Sequence, residues 1–256
     1  MKTAGPSVSL LGIRVSVIDP PGVIDEIARR RSGPGCALIN NVNIHACNLA
    51  VEQPEFRRIL NESAVVFCDG YGVKLGARLL GHRLGARMTP PDWIDALFRR
   101  GASEGWSFFF VGDRADVVGR FAAESARRHP GLTIAGWESG YFDLDGEENR
   151  NLIVRLAVLQ PDVILTGMGM PRQEIWAARA ARQLPRGVWV ATGALFRWYI
   201  GEERRAPRVL RELGGEGLYR LLRHPVRHFR RYALGVPKFF FRILRERIRR
   251  STGEPS

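Results

Sequence analysis

Three short polar stretches interrupt apolar runs in ways that suit chemistry. In Val65–Val73, read Val-Val-Phe-Cys-Asp-Gly-Tyr-Gly-Val, the apolar run stops at Asp69 and two glycines follow. Glycines there let the backbone turn sharply and let a ligand come close. On these residues alone, Asp69 is either a group for chemistry or merely the cap of the next helix. In Gly167-Met-Gly-Met-Pro-Arg-Gln-Glu174, Gly167 and Gly169 followed by a proline offer backbone N–H groups and a helix N-terminus to an anion. Gln173 and Glu174 fall in the first helical turn, beside the loop mouth, and a plain helix start has the same letters. The stretch is neither GxGxxG nor GxxxxGK[ST], so neither nucleotide fingerprint applies. In Asn40–His45, the amides of Asn41 and Asn43 and the imidazole of His45 either bond a ligand or close local turns.

Elements that would position these groups alternate along the chain. Val8–Ile18 reads as a strand or hairpin and Val23–Arg30 as a short helix. Apolar strands are predicted at Cys36–Asn41, Ala64–Cys68, Trp106–Val111, Leu132–Trp137, Val163–Thr166 and Val188–Ala191. Helical patterns separate them: Ala50–Asn61, Val73–Leu80, a helix opened by Thr89-Pro90-Pro91-Asp92, Val117–Arg128 and Asn149–Leu159. Such alternation predicts an α/β fold, a Rossmann-like, mostly parallel sheet with helices on both faces. The polar motifs and Tyr141 all follow strands, and in open α/β sheets they converge on the carboxyl edge.

The chain has 256 residues and a formal charge of +13, unevenly spread: Arg204–Arg250 holds 15 Lys and Arg against three acids, nearly the whole excess. This predicts a nearly neutral α/β domain over 1–203 and a basic helical appendage over 204–256. A polyanionic partner fits that asymmetry. Val236–Arg250 mixes three phenylalanines, Ile243, Leu244 and Ile248 with Lys238 and arginines, an amphipathic basic helix suited to an anionic membrane surface, a packed helix or nucleic acid. No nucleic-acid module signature accompanies it. Three scattered cysteines form neither a disulfide framework nor a CxxC metal site. No stretch is long and apolar enough to span a bilayer.

Taken together, the motifs resemble the WecG/TagA/CpsF glycosyltransferases from about Leu38 to Phe240. The family's Thr-x-Asn is Asn41-Val-Asn43 here; its Asp-Gly-x-Gly is Asp69-Gly-Tyr-Gly72. Its Arg-Val-x-Gly-x-Asp is Arg87-Met-Thr-Pro-Pro-Asp92, and its Gly-x-Gly-x-Pro-Lys-Gln-Glu is Gly167–Glu174. Arg205-Ala-Pro207, Tyr219-Arg-Leu221, His224-Pro-Val-Arg227 and Arg230-Arg-Tyr232 complete the order.

The resemblance implies an inverting transferase that needs no cofactor or metal. It implies a UDP-sugar donor, a polyprenyl-diphosphate-linked saccharide acceptor and a place at the inner face of the cell membrane, with no nucleic acid partner. Asp143-Leu-Asp145 has the letters of an Asp-x-Asp metal motif but falls in a loop before a helix. Inversion needs a base for the acceptor hydroxyl and donors for the departing diphosphate. The implied roles are Asp69 as base, with Asn41 and Gln173 in the catalytic group. Asn43, Gly167 and Gly169 would hold the donor, Tyr141 the uracil, and Arg87, Arg220, Arg227 and Arg230 the phosphates. Four departures bear on donor identity: Asn41 for the family's Thr, Arg197 for an Asp after the last strand, Gly214-Gly-Glu-Gly217 for Gly-Leu-Glu-Trp, and His224 for a Glu. The competing readings are a basic-tailed nucleic-acid-binding protein and a nicotinamide-dependent oxidoreductase; against the latter, no GxGxxG is present.

Overall fold

A computed structural model describes residues 5–85, 87–203, 206, 207, 219, 221, 229 and 233–252. A hairpin comes first: β1 (Ser7–Leu10) and β2 (Ile13–Ser16) pair antiparallel through Leu11 and Gly12, both at positive φ. That two-residue turn matches the strands' right-handed twist. The hairpin lies beside β4 (Val65–Cys68), where the Val66 N–H donates to Ser16 Oγ at 3.1 Å.

Six strands form one wholly parallel sheet in the order β4-β3-β8-β7-β5-β6, with β3 Gly35–Val42, β5 Ser107–Gly112, β6 Thr133–Glu138, β7 Val163–Gly167 and β8 Arg186–Ala191. Alternation along each strand assigns its two faces. Ile39, Val65, Phe67, Phe108, Phe110, Leu165 and Val190 enter one core, against α1 (Pro20–Arg31), α5 (Pro90–Glu104), α6 (Ala115–Arg128) and the short α9 (Leu195–Tyr199). Phe109, Ile164 and Trp189 face the opposite way, under α7 (Glu147–Leu159) and α8 (Arg172–Ala181). Val42, Val66 and Cys68 share that second face near the β4 edge, under α2 (Ile44–Glu52), α3 (Pro54–Glu62), α4 (Tyr71–Leu79) and α10 (Gly235–Ser251). Apolar runs buried on both faces are what a parallel sheet requires.

Local chemistry explains where the elements depart from expectation. Pro20 and Pro21 open α1 instead of only ending a strand, because the Asp19 carboxylate accepts from the Gly22 N–H at 2.9 Å. The helix expected over Ala50–Asn61 is two, broken at the extended Gln53 by Pro54. Phe196, carried by α9, stacks 4.4 Å from Phe121 of α6, fixing the two helices together, and lies 6.3 Å from Phe110 of β5.

The C-terminal helix α10 is docked. Phe239 and Ile243 are fully buried. Gly76 permits the approach, since a Cβ there would lie 2.7 Å from the Phe239 ring. Arg242 reaches the Asn48 side chain at 2.8 Å and Glu52 at 2.9 Å, and the Leu11 N–H donates to Glu246 at 2.8 Å.

Candidate active site

Read across the sheet, the carboxyl ends of β4, β3, β8, β7, β5 and β6 deliver in turn Asp69, Asn43, Thr192-Gly193, Gly167–Pro171, Asp113 and Tyr141. The sequence motifs therefore do converge on one edge. At about 4.8 Å per strand, the row from Asp69 to Tyr141 spans roughly 24 Å of backbone. That accommodates an elongated ligand lying across the strand ends.

At the β4 end, Asp69 is half-buried and its N–H donates to the Val42 carbonyl at 2.8 Å. Gly70, at φ 122°, occupies the N-cap of α4. The N-cap position is therefore the glycine's, one residue past the carboxylate. Arg87 stands nearby over the Tyr71 ring at 5.7 Å and forms an ion pair with Asp92 at 3.1 Å.

The two asparagines separate. Asn41 is buried inside β3 and its amide donates to the Ala191 carbonyl of β8 at 2.9 Å. Asn43 caps α2, accepting from the Ala46 N–H at 3.1 Å, and its amide lies 3.9 Å from the Met170 sulfur in the β7 loop. Asn41 thus joins strands while Asn43 stands just past the carboxyl end of β3, beside the β7 loop.

The Gly167–Glu174 loop is more tightly knit than its letters suggest. Gly169 takes a positive φ of 79°, and its carbonyl accepts from the Gln173 N–H at 3.0 Å. Gln173 and Glu174 sit in the first turn as expected, but both side chains are fully buried. The Gln173 amide donates to Glu174 Oε1 at 2.8 Å and its oxygen accepts from the Gly193 N–H at 3.3 Å, bracing the β7 and β8 loops together. Burial pushes the Glu174 carboxyl up to about 7, and the Gln173 hydrogen bond only partly opposes that. An unfolded carboxyl titrates near 4.5. Between those values the folded chain binds more protons than the unfolded one, so stability falls as pH rises through the interval. Glu174→Gln, which cannot ionise, should melt about 5 °C above wild type at pH 8 and level with it at pH 4. Equal melting temperatures at both pH values would refute the buried ionisation.

At the other end of the row, Asp113 and Arg197 form a two-pronged ion pair, Nε to Oδ2 at 2.5 Å and Nη2 to Oδ1 at 2.7 Å. Burial would raise the Asp113 carboxyl. The Arg197 fork and the Arg114 N–H more than offset it and hold the group below the ordinary range, while Asp113 raises Arg197 further. Sequence reasoning sees Arg197 only as a departure and Asp113 only as the end of a strand. Charge opposition between two post-strand residues was the available signal. Tyr141, 71% exposed, stands beyond β6. Beside it, a pocket of about 420 Å³ opens between β6 and α7, walled by Ser139, Tyr141, Phe142, Asn151 and Arg155.

Arg220, Arg227 and Arg230, and with them Arg205 and His224, lie outside the described residues. Among the described residues no three His, Cys, Asp or Glu side chains are grouped to hold a metal ion, and no helix is long and apolar enough to cross a membrane.

An open parallel α/β sheet with polar groups along its carboxyl edge defines the class of α/β proteins that bind ligands at that edge. Within it the chain belongs to the glycosyl transferase WecG/TagA/CpsF family, whose family model matches residues 8–253. It is similar to the N-acetylglucosaminyldiphosphoundecaprenol N-acetyl-beta-D-mannosaminyltransferase of Bacillus subtilis (strain 168), with 27% identity over 86% of this chain and 83% of that one. Enzymes of the same name from Bacillus spizizenii and Staphylococcus aureus (strain NCTC 8325 / PS 47) are 28% and 26% identical. Those matches cover 77% and 72% of this chain, and 74% and 71% of the relatives.

Proposed function

We propose that this glycosyltransferase moves a hexose or N-acetylhexosamine, such as N-acetylmannosamine, from a UDP-sugar to a saccharide carried on a polyprenyl diphosphate, with inversion, in the synthesis of a bacterial cell-surface polymer. The carrying observation is the row of polar groups along one sheet edge, with a half-buried carboxylate at one end and an exposed aromatic ring at the other. The relatives' names support the lipid-linked acceptor.

In this reading the donor lies along the strand ends. Its nucleoside rests at Tyr141 and its diphosphate crosses the Gly167–Pro171 loop, held also by Asn43, Gly167 and Gly169. Asp69 takes the proton from the acceptor hydroxyl as that oxygen attacks the sugar's anomeric carbon from the face opposite the leaving diphosphate. A carboxylate is a weak base, so its placement beside the hydroxyl supplies much of the effect. The leaving group's charge needs donors, and Arg87, Arg220, Arg227 and Arg230 are assigned to it, with Gln173 and Asn41 bracing the strands behind. Residues 204–256 form the appendage that meets an anionic membrane at its inner face. The outward face of α10 supports this, with Phe241, Leu244 and Ile248 exposed among Arg245, Arg247 and Arg249.

A thermal-shift screen of UDP-, GDP- and dTDP-sugars tests the donor directly. A UDP-sugar should raise the melting temperature by several degrees at millimolar concentration, following the mass-action stabilisation of a folded state by its ligand. A larger shift with GDP- or dTDP-sugars, or none with any, would overturn the UDP assignment.

A further inference from the structure

We infer that the Asp113–Arg197 ion pair is the positioning element for the loop that carries Tyr141, and through it sets how firmly the donor's nucleoside is held. The second half of this inference rests on the donor reading above.

Asp113 is a hub made almost entirely of its own backbone and carboxylate. It closes β5 at a φ of 51°, in the left-handed region that non-glycine residues seldom occupy. Gly112 before it lets β5 press on β7, because a Cβ there would lie 2.5 Å from the Gly167 carbonyl group. From that strained corner the Asp113 N–H donates to the Gly167 carbonyl at 3.1 Å, tying β5 to β7. Its carbonyl accepts from the Gly140 N–H at 2.8 Å and from Ser139 Oγ at 3.1 Å, tying β5 to the loop after β6. Ser139 Oγ in turn accepts from the Tyr141 N–H at 3.2 Å. Finally, the carboxylate binds the Arg197 fork, tying β5 to α9.

One residue therefore joins the carboxyl ends of three strands to helix α9, and Tyr141 hangs from it by two hydrogen bonds in series. The Tyr141 ring is too exposed for packing to place it, so the backbone beneath must. The ion pair is well shielded, with 10% of the Asp113 side chain and 18% of that of Arg197 accessible. It therefore does more than an exposed pair would. Removing the fork frees a carboxylate in a corner that prefers another backbone conformation, and the strained φ is then the first thing to relax. The arginine's fork engages both carboxylate oxygens.

Asp113→Asn is the sharpest test, because asparagine tolerates a positive φ and nearly matches the shape, leaving the charge as the main change. Hydrogen exchange at the Gly140 and Tyr141 amides, measured on the ligand-free full chain, should quicken about tenfold in Asp113→Asn and in Arg197→Lys. That is the scale of one lost charge-assisted hydrogen bond. The Kd for UDP should rise about tenfold in Asp113→Asn but hardly at all when Tyr141→Ala is already present, a non-additivity that a general loss of stability does not produce. Unchanged exchange in both variants would overturn the positioning role. Unchanged UDP affinity, or penalties that simply add, would overturn its effect on the nucleoside. If the wild type binds no UDP, the donor reading fails and the effect on the nucleoside fails with it, while exchange still decides the positioning role.

Discussion

Asp69→Asn should fold as wild type and turn over at least about a hundredfold more slowly, the usual scale for a lost general base. The substitution keeps size and shape. The backbone at this point is held by the Val42 carbonyl, and Gly70 occupies the N-cap position of the next helix; the substitution leaves both in place. What disappears is the capacity to accept a proton from the attacking hydroxyl. Product formation with a UDP-sugar and a polyprenyl-diphosphate-linked acceptor, beside a melting curve, separates chemistry from folding. A variant with full activity would remove Asp69 from the mechanism, and one that melts early would mark it as structural.

The second large effect divides one helix into two faces. Phe239→Ala should cost about 3–5 kcal/mol of stability, the range for truncating a buried aromatic where neighbours cannot collapse into the gap. Phe239 is fully buried and Gly76 directly beneath its ring has no side chain to refill the space. Replacing Phe241, Leu244 and Ile248 together with serine should leave the melting temperature nearly unchanged, because Phe241 is 67% exposed and the other two are more than half exposed. The same triple variant should lose co-sedimentation with phosphatidylglycerol vesicles. Retained vesicle binding would refute the membrane role of this face, and a cold-sensitive or early-melting triple variant would show that the face packs on the protein itself. Deleting the helix would confound the two results, since it would strip a core residue along with the proposed lipid contact.

Much of the architecture was legible because strands buried on both faces leave continuous apolar runs, and Phe108–Val111 or Val163–Leu165 cannot be anything exposed. The carboxyl-edge convergence followed from the fold class, so the places of Asp69, Asn43, Tyr141 and the Gly167 loop followed too. What escaped was everything decided by partners distant in sequence. Glu174 reads as a first-turn acid at a loop mouth, and only the packing of α8 on the sheet reveals that it is fully buried. Asn41 and Asn43 are two letters apart on a strand that ends between them, so one amide serves β8 and the other caps a helix. Arg197 and Asp113 are separated by three strands' worth of chain, and no local pattern announces that they meet. The docking of α10 was invisible for the same reason: an amphipathic helix looks alike whether its apolar side meets lipid or protein, and this one has apolar residues on both sides.

The strand order has a bearing on how the molecule comes into being. β3 pairs with β4, its immediate successor, on one side and with β8, the last strand made, on the other. While the ribosome is still delivering the intervening helices, the inner edge of β3 has no neighbour, and its apolar residues stand next to open backbone donors and acceptors. Such an edge invites pairing with the wrong chain. The nascent protein therefore carries this aggregation hazard through most of its synthesis, and relieves it only when Val188–Ala191 arrives to close the middle of the sheet.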